Sequence, residues 1–220
     1  FKLALSVERE PAAHATLLLR AFCRQFPQGG PPEYFEYLNG GMSAEPDWAE
    51  DYPDQWRAAN DEALLLELGT EAANAELQPK LEALKSVAGD RIVVIGGPPC
   101  QAYSVVGRAR NRNKAGYDPK DDPRHYLYRE YIAILESLRP AAFVMENVKG
   151  LMSSSVDGQA MYELVLADLK AAGGENSYRL YALDLDKTGK AQLFPSVKPA
   201  DFLIFAENFG VPQTRHRVII

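Results

Sequence analysis

The chain has 220 residues, of which 46% are hydrophobic and 25% are charged, and its formal net charge is −6 at pH 7. This composition supplies enough apolar side chains for a packed core and indicates a globular protein. The acidic balance argues against a protein that coats nucleic acid through bulk positive charge, because phosphate neutralisation needs clustered Lys and Arg side chains. Any contact with nucleic acid must therefore be local.

Membrane and metal functions are not indicated either. The sequence contains no run of about 18 apolar residues and no secretory signal pattern at its start, which predicts a protein of the cytoplasm. The two cysteines, Cys23 and Cys100, predict neither a disulfide framework nor a zinc site. The three histidines have no cysteine or acidic partner at metal-ligand spacing, so we expect no bound metal.

The first part of the chain predicts an α/β unit. The mainly apolar run Leu3–Val7 predicts a strand, and the apolar-periodic segment Ala12–Phe26 predicts a helix. Residues 27–61 mix glycine, proline, aromatic and acidic residues, which indicates loops with short helices. Helical patterns follow at Asp61–Leu68, where a strand is the alternative, and at Ala72–Val87.

The second part alternates strands with helices. Apolar runs predict strands at Arg91–Ile95, Ala142–Met145, Tyr178–Leu185, Asp201–Ala206 and Val218–Ile220. Helical periodicity lies between them, at Tyr126–Leu138 and Gln159–Ala172. This alternation predicts an α/β fold with a doubly wound, mostly parallel sheet and helices on both faces, in one domain spanning residues 1–220.

Three polar clusters carry the candidate chemistry, since ligands of open parallel sheets bind beyond the carboxyl ends of the strands. In the first, residues 96–104, glycines allow close backbone approach and prolines fix the path that presents Cys100. In the second, residues 145–148, Glu146 directly follows a predicted strand, where partial burial would favour its protonated form and make it a proton donor.

The third cluster, residues 213–217, places Arg215 and Arg217 two residues apart on extended backbone. Both side chains then point to the same face and are able to clamp a base or a phosphate. Taken singly, each cluster has an ordinary structural interpretation: Cys100 as a buried thiol, Glu146 as a helix cap, and the arginines as a solvated strand edge.

Taken together and in this order, Pro-Cys-Gln at 99–101, Glu-Asn-Val at 146–148 and Gln-x-Arg-x-Arg at 213–217 resemble the motifs of the cytosine carbon-5 DNA methyltransferase family. Val7-Glu8 and Phe-Gly-Val-Pro-Gln at 209–213 extend the resemblance from Leu3 to Ile220. It implies a Rossmann-like fold and methyl transfer from S-adenosylmethionine to carbon 5 of cytosine in double-stranded DNA, with the target base rotated out of the stack.

The resemblance also implies roles for individual residues. Cys100 would add to carbon 6 of the base, and Glu146 would hydrogen-bond ring nitrogen 3 as charge develops there. Asn147 would orient Glu146 or the loop that carries Glu146, while Arg215 and Arg217 would hold the cytosine carbonyl oxygen and the thiol loop.

Cofactor and DNA positions follow from the same resemblance. Glu8, at the end of a strand, is the candidate acceptor for the ribose hydroxyls, and Leu68 is expected near the adenine. Pro99 and Leu127 correspond to cofactor-wall positions. The residues expected to face DNA, within or beside a clamp that closes on phosphates, are Pro98, Gln101, Ser104, Arg108 and Arg110.

Relatives in this family also have a Phe-x-Gly-x-Gly loop and a target-recognition region, which this sequence does not contain. We therefore expect a fragment of a protein that is monomeric when complete and that acts in restriction-modification or regulation, in the bacterial cytoplasm or nucleoid. Three alternatives stay open: a methyltransferase acting on transfer RNA, a catalytically inactive regulatory module, and a cysteine hydrolase, which would need a histidine beside Cys100.

Overall fold

A computed structural model describes residues 1–98, 127–156, 159–175, 177–186 and 188–220. Spatial contacts between Cα atoms group the chain into two compact units, Phe1–Leu77 and Gln78–Ile220. The division falls inside one helix, Glu71–Ala88, which contains Pro79.

The first unit contains a short parallel strand pair. Strand β1, Ser6–Glu8, pairs with β2, Ala63–Leu65, so that Glu8 lies beside Leu65 at the carboxyl end of the pair. Between the two strands the chain forms four helices, α1 to α4: Pro11–Cys23, Pro32–Leu38, Trp48–Asp51 and Pro53–Glu62. The short helices predicted for residues 27–61 are confirmed, and the strand alternative is the correct one for residues 63–65.

An aromatic core holds the first unit together. Phe22 of α1 is fully buried, and its ring lies 5.3 Å from that of Trp48 and 5.6 Å from that of Trp56, measured between ring centroids. Ala21, Ala59 and Ala63 complete the buried set. Small alanines beside large rings let α1 and α4 approach closely, which fixes the path of β1 and β2.

The second unit is built on a four-stranded sheet. After helix α5, Glu71–Ala88, the elements in chain order are β3, Val93–Gly96; α6, Tyr128–Leu138; β4, Ala142–Val148; β5, Ser155–Val156; β6, Gln159–Ala160; α7, Met161–Ala171; β7, Tyr181–Leu185; β8, Ala191–Pro195; β9, Leu203–Phe205; and β10, His216–Ile219. The sheet order is β3-β4-β10-β9, and separate two-stranded pairs are formed by β5 with β6 and by β7 with β8. Short 3₁₀ turns follow β4 and flank β9.

The pairing in this sheet is mixed. β3 runs parallel to β4, whereas β10 runs antiparallel to both β4 and β9. A mixed α/β fold is thereby confirmed, but the described residues do not form the mostly parallel sheet that the alternation of elements predicts. The reason is local: β9 and β10 are joined by a short connection without a crossover helix, and such a connection brings the second strand back antiparallel.

Helices α6 and α7 supply much of the core of the second unit. The buried face of α6 carries Tyr128, Tyr131, Ile132, Leu135 and Leu138, at the three- and four-residue spacing of an amphipathic helix. The first four of these residues pack with Met145 and Val218 of the sheet and with Met161, Val165 and Leu169 of α7. The helix predicted at Gln159–Ala172 therefore exists, but it begins at Met161, after the β5–β6 hairpin.

None of the helices in the described ranges is both long and apolar enough to cross a membrane. Nor do histidine, cysteine, aspartate and glutamate side chains within those ranges form a group of three or more that could hold a metal ion.

Candidate functional site

The ends of β3 and β4 bring the first two polar clusters together. Gly96 pairs with Met145 in the parallel register, so the next residues, Gly97 and Glu146, follow at the same edge of the sheet. A Cβ atom added at Gly97 would lie 3.1 Å from Oε2 of Glu146. Because any side chain at position 97 would crowd the carboxylate, glycine here lets the backbone that leads to Cys100 pass against Glu146.

Asn147 ties the same loop to β4. Its side chain is 2% exposed, and its Nδ2 donates a hydrogen bond to the carbonyl oxygen of Pro98 at 3.3 Å. Its Oδ1 accepts from the backbone N–H of Val148 at 2.9 Å. A buried amide that uses both ends in this way stabilises one loop position, since loss of either partner would leave a polar group unsatisfied.

Glu146 lies within β4, not after it as the sequence suggests. The strand extends to Val148 because β10 pairs with its last three residues, with Ile219 opposite Glu146 and Arg217 opposite Val148. Residues that lie opposite each other share a face of the sheet, so Arg217 and Glu146 are diagonal neighbours. The pairing with β10 therefore determines which arginine reaches the carboxylate.

Arg217 and Glu146 form an ion pair in which Nε lies 2.7 Å from Oε1. The Nε–H bond does not point at that oxygen and Nε is buried without a hydrogen bond, while Nη1 donates to the backbone oxygen of His216 at 2.8 Å. The Glu146 side chain is 43% exposed, so the carboxylate is accessible from solvent. The pair therefore places an accessible carboxyl group, able to hydrogen-bond a ring nitrogen, beside a guanidinium that is able to donate to a ligand oxygen.

Arg215 is placed differently from Arg217. It precedes β10, its side chain is exposed, and its backbone oxygen accepts from the N–H of Ala206 at 3.0 Å. Next to it, Nε2 of His216 lies 3.0 Å from Oε1 of Glu207, and a hydrogen bond from the backbone N–H of Glu207, together with His216, lowers the pKa of this carboxyl group. The shared face predicted for the two arginines stays a prediction for Arg215.

The predicted cofactor residues of the first unit lie at the carboxyl end of its strand pair. Oε1 of Glu8 accepts hydrogen bonds from the backbone N–H groups of Arg9 at 2.7 Å and of Glu10 at 2.8 Å. Arg9 also forms an exposed ion pair with Glu67, at 3.1 Å, and Leu68 beside it is half-buried. One oxygen of Glu8 is thereby held at the start of α1 by the backbone of the next two residues, which fixes the orientation of the carboxylate.

Several predicted site residues are not part of this geometry. Leu127 is half-buried and precedes the first residue of α6. The remaining predicted residues lie outside the described residues: Pro99, Cys100, Gln101, Ser104, Arg108 and Arg110. Their roles stay predictions.

Sequence reasoning missed one residue at this site, Tyr131. Its hydroxyl lies 3.1 Å from the backbone oxygen of Val144 and 3.4 Å from that of Val94, beneath the ends of β3 and β4. The helical spacing of α6 marks Tyr131 as a core residue, yet nothing in that spacing shows that its hydroxyl reaches both strands.

Comparison with known proteins identifies the second unit. The family model described as C-5 cytosine-specific DNA methylase matches residues 80–220. The type II methyltransferase M.Bpa9945I of Bacillus paralicheniformis is 34% identical over 144 residues, which cover 66% of this chain and 27% of that protein. The type II methyltransferase M.AgeI of Thalassovita gelatinovora is 37% identical over 139 residues, which cover 63% of this chain and 24% of that protein.

A third relative agrees with these two. The DNA (cytosine-5-)-methyltransferase M.ApeKI of Aeropyrum pernix is 34% identical over 132 residues, or 60% of this chain and 26% of that protein. The chain thus spans about a quarter of the length of these three relatives. The family match covers well over half of the chain and includes Gly97, Glu146, Asn147 and Arg217, and the chain therefore belongs to the C-5 cytosine-specific DNA methylase family.

Proposed function

We propose that the protein carrying this chain transfers a methyl group to carbon 5 of cytosine in double-stranded DNA. The observation that carries the proposal is the convergence of the Gly97–Pro98 backbone, Glu146, Asn147 and Arg217 at one sheet edge, in a chain of this family. The candidate acid Glu146 therefore lies in contact with Arg217 and close to the backbone that precedes Cys100.

The chemistry needs a nucleophile because carbon 5 of cytosine is poorly reactive in the aromatic ring. A Cys100 thiolate that forms a bond to carbon 6 pushes electron density toward ring nitrogen 3 and makes carbon 5 nucleophilic. Cys100 lies two residues after Pro98, whose carbonyl Asn147 holds. The partly exposed Glu146 carboxyl group would bind at nitrogen 3, which contributes about two to four decades in rate for a general acid of this kind.

Arg217 would act on the polar edge of the base. Its guanidinium lies beside the Glu146 carboxyl group with the Arg217 side chain 25% exposed, and the cytosine carbonyl oxygen would accept from a guanidinium N–H group. A guanidinium that binds this oxygen stabilises negative charge that develops on the ring. Arg215, two residues earlier and exposed, would contact the thiol loop or a DNA phosphate.

S-adenosylmethionine, when bound, would supply the electrophilic methyl group. Glu8 fits its ribose end, because Oε1 is occupied by two backbone N–H groups and Oε2 is the acceptor left for ribose hydroxyls. Leu68 follows β2 at the same edge and would contact the adenine, while Pro99 and Leu127 would line the cofactor wall. The parallel pairs β1–β2 and β3–β4 suit a Rossmann-like, doubly wound fold in the whole protein.

DNA binding would depend on the segment after Cys100. Gln101, Ser104, Arg108 and Arg110, together with Pro98, would face the DNA, with the arginines on phosphates. A cytosine within the duplex must leave the stack before a thiol reaches carbon 6, at a cost of a few kcal/mol. We further propose that this enzyme acts in restriction-modification, because two of its relatives are named type II methyltransferases. We also propose that it is cytoplasmic and monomeric.

Covalent trapping tests this function. The protein is incubated with S-adenosylmethionine and a duplex that contains 5-fluorocytosine, which blocks the loss of the carbon 5 proton and holds the adduct. We expect a stable protein–DNA adduct for the wild type and none for Cys100→Ser, while Cys23→Ser, which changes the other cysteine, keeps it. Adduct formation by Cys100→Ser would overturn the mechanism, and adducts with transfer RNA alone would overturn the DNA substrate.

A further inference from the structure

A buried tyrosine lies beneath the strand ends that carry the candidate site. Tyr131 of α6 is 6% exposed, and its hydroxyl is 3.1 Å from the backbone oxygen of Val144 in β4 and 3.4 Å from that of Val94 in β3. A hydroxyl has one proton, so it donates chiefly to the nearer oxygen while lying against both strands. Val94 lies two residues before Gly96, the last residue of β3, and Val144 lies two residues before Glu146 within β4.

The ring of Tyr131 also packs against Gly96, which has no side chain. A Cβ atom added at Gly96 would lie 2.6 Å from Cε2 and 2.8 Å from Cδ2 of Tyr131. The ring therefore occupies the space of the absent side chain and supports the backbone of β3 from below. Phe143 packs edge-on against it, with 6.4 Å between the ring centroids, and holds the ring from the β4 side.

We propose that Tyr131 is a positioning residue for methyl transfer. Its hydroxyl lies against both β3 and β4 and thereby sets the position of Gly97 relative to Glu146. This inference rests on the function proposed above. Gly96 and Met145 are paired, and the residues that follow them carry the thiol loop and the acid. A displacement of about 1 Å between reacting groups is enough to slow a reaction up to a hundredfold.

The hydroxyl is suited to a constant structural task. Burial raises the pKa of Tyr131, and the neighbouring Tyr178 adds to this rise, so the side chain keeps its proton throughout the pH range of methyl-transfer assays. Tyr131 then remains a donor to the strand carbonyls under all assay conditions. Its hydroxyl lies against backbone oxygens of β3 and β4, so Tyr131 acts on Glu146 through the backbone.

Tyr178 provides a matched control at the opposite end of the same strand. Its hydroxyl donates to the backbone oxygen of Pro140 at 2.8 Å, just before β4 begins, and its ring packs edge-on against Phe143 at 5.1 Å. Tyr178→Phe removes the same kind of hydrogen bond from the same layer without touching the end that carries Glu146. Tyr131→Phe keeps the ring and removes only the hydroxyl.

The experiment compares both variants with the wild type in single-turnover methyl transfer at saturating DNA and S-adenosylmethionine, with the DNA dissociation constant and thermal unfolding measured in parallel. We expect Tyr131→Phe to slow transfer about tenfold with a DNA dissociation constant within about twofold of wild type, and Tyr178→Phe to transfer at the wild-type rate. Gly96→Ala, which forces the ring away, should give the same slowing and serves if Tyr131→Phe does not fold.

The outcomes separate the two proposals. A wild type that transfers no methyl group, or a Glu146→Gln variant as fast as wild type, overturns the proposed function. An active wild type with a Tyr131→Phe rate within twofold of it overturns the positioning role alone. Equal slowing in Tyr131→Phe and Tyr178→Phe also overturns it, since the loss would then follow general strand stability.

Discussion

Arg217 of β10 places its Nε 2.7 Å from Oε1 of Glu146 on β4, as a diagonal neighbour across an antiparallel pair. The two residues come from different motifs of the sequence, and the strand pairing alone brings them together. The pairing of β10 with β4 therefore positions the Arg217 guanidinium beside Glu146.

Replacement of Arg217 by lysine should slow methyl transfer about a hundredfold, because the ammonium keeps the charge but cannot reproduce the fixed geometry of the Nε–H donor. Single-turnover rates at saturating DNA measure this effect. Arg57→Lys is the control: Arg57 also pairs with an acidic residue, Asp54, but both side chains are more than 70% exposed. Its rate should match wild type, and an unimpaired Arg217→Lys variant would show that charge alone is sufficient.

Asn147→Ala should destabilise the protein by about 1–3 kcal/mol, because it leaves the buried carbonyl group of Pro98 and the part-buried N–H group of Val148 without their side-chain partner. Urea unfolding gives the free energy. Asn60 is the matched control, since its Nδ2 donates to the carbonyl of Trp56 at 2.8 Å in an exposed position. Asn60→Ala should change the free energy by less than about 0.5 kcal/mol. Equal losses in the two variants would contradict the role assigned to burial.

The elements that sequence periodicity predicted well are those whose own side chains determine them. Helix α6 was predicted at Tyr126–Leu138 and is described at Tyr128–Leu138, because its apolar spacing fits one buried face. The run before Gly96 likewise forms a strand. In such segments the local pattern and the core make the same demand, so one sequence is sufficient to find them.

The features that were missed depend on distant partners. β4 extends over Glu146–Val148 only because β10 pairs with it there, and β8 forms only because it pairs with β7. The residues of β8 are mostly exposed and lack the apolar alternation of a half-buried strand. The motifs at 146–148 and 213–217 supplied the candidate site residues, whereas the contact of Glu146 with Arg217 and the fit of Tyr131 against Gly96 require the fold.

Arg139→Gly should stabilise the protein by about 0.5–1 kcal/mol, because Arg139 ends α6 in the left-handed region, with φ 47° and ψ 58°, where a Cβ atom is strained. Its backbone N–H donates to Leu135 at 2.7 Å, so the variant keeps the hydrogen bond that ends the helix. Urea unfolding measures the gain. Arg139→Ala, which removes the guanidinium but keeps Cβ, should show no such gain, and an equal gain in both variants would assign the effect to the charge.

Tyr128 makes the fold sensitive to alkaline pH. Burial, followed by a hydrogen bond from its hydroxyl to Oδ2 of Asp168 at 2.7 Å, raises the pKa of Tyr128 from 10.0 to about 12. A pKa raised in the folded state gives stability that is fully present below pH 10 and is lost as the pH rises from 10 toward 12, since the unfolded chain releases the proton first. The free energy of unfolding should therefore fall across this window in the wild type and fall less steeply in Tyr128→Phe.

Guanidinium unfolding at several pH values gives both slopes, with Tyr37→Phe as the control because Tyr37 lies on the short helix α2 and not in the core. Parallel slopes for the wild type and Tyr128→Phe would exclude Tyr128 as the responsible group.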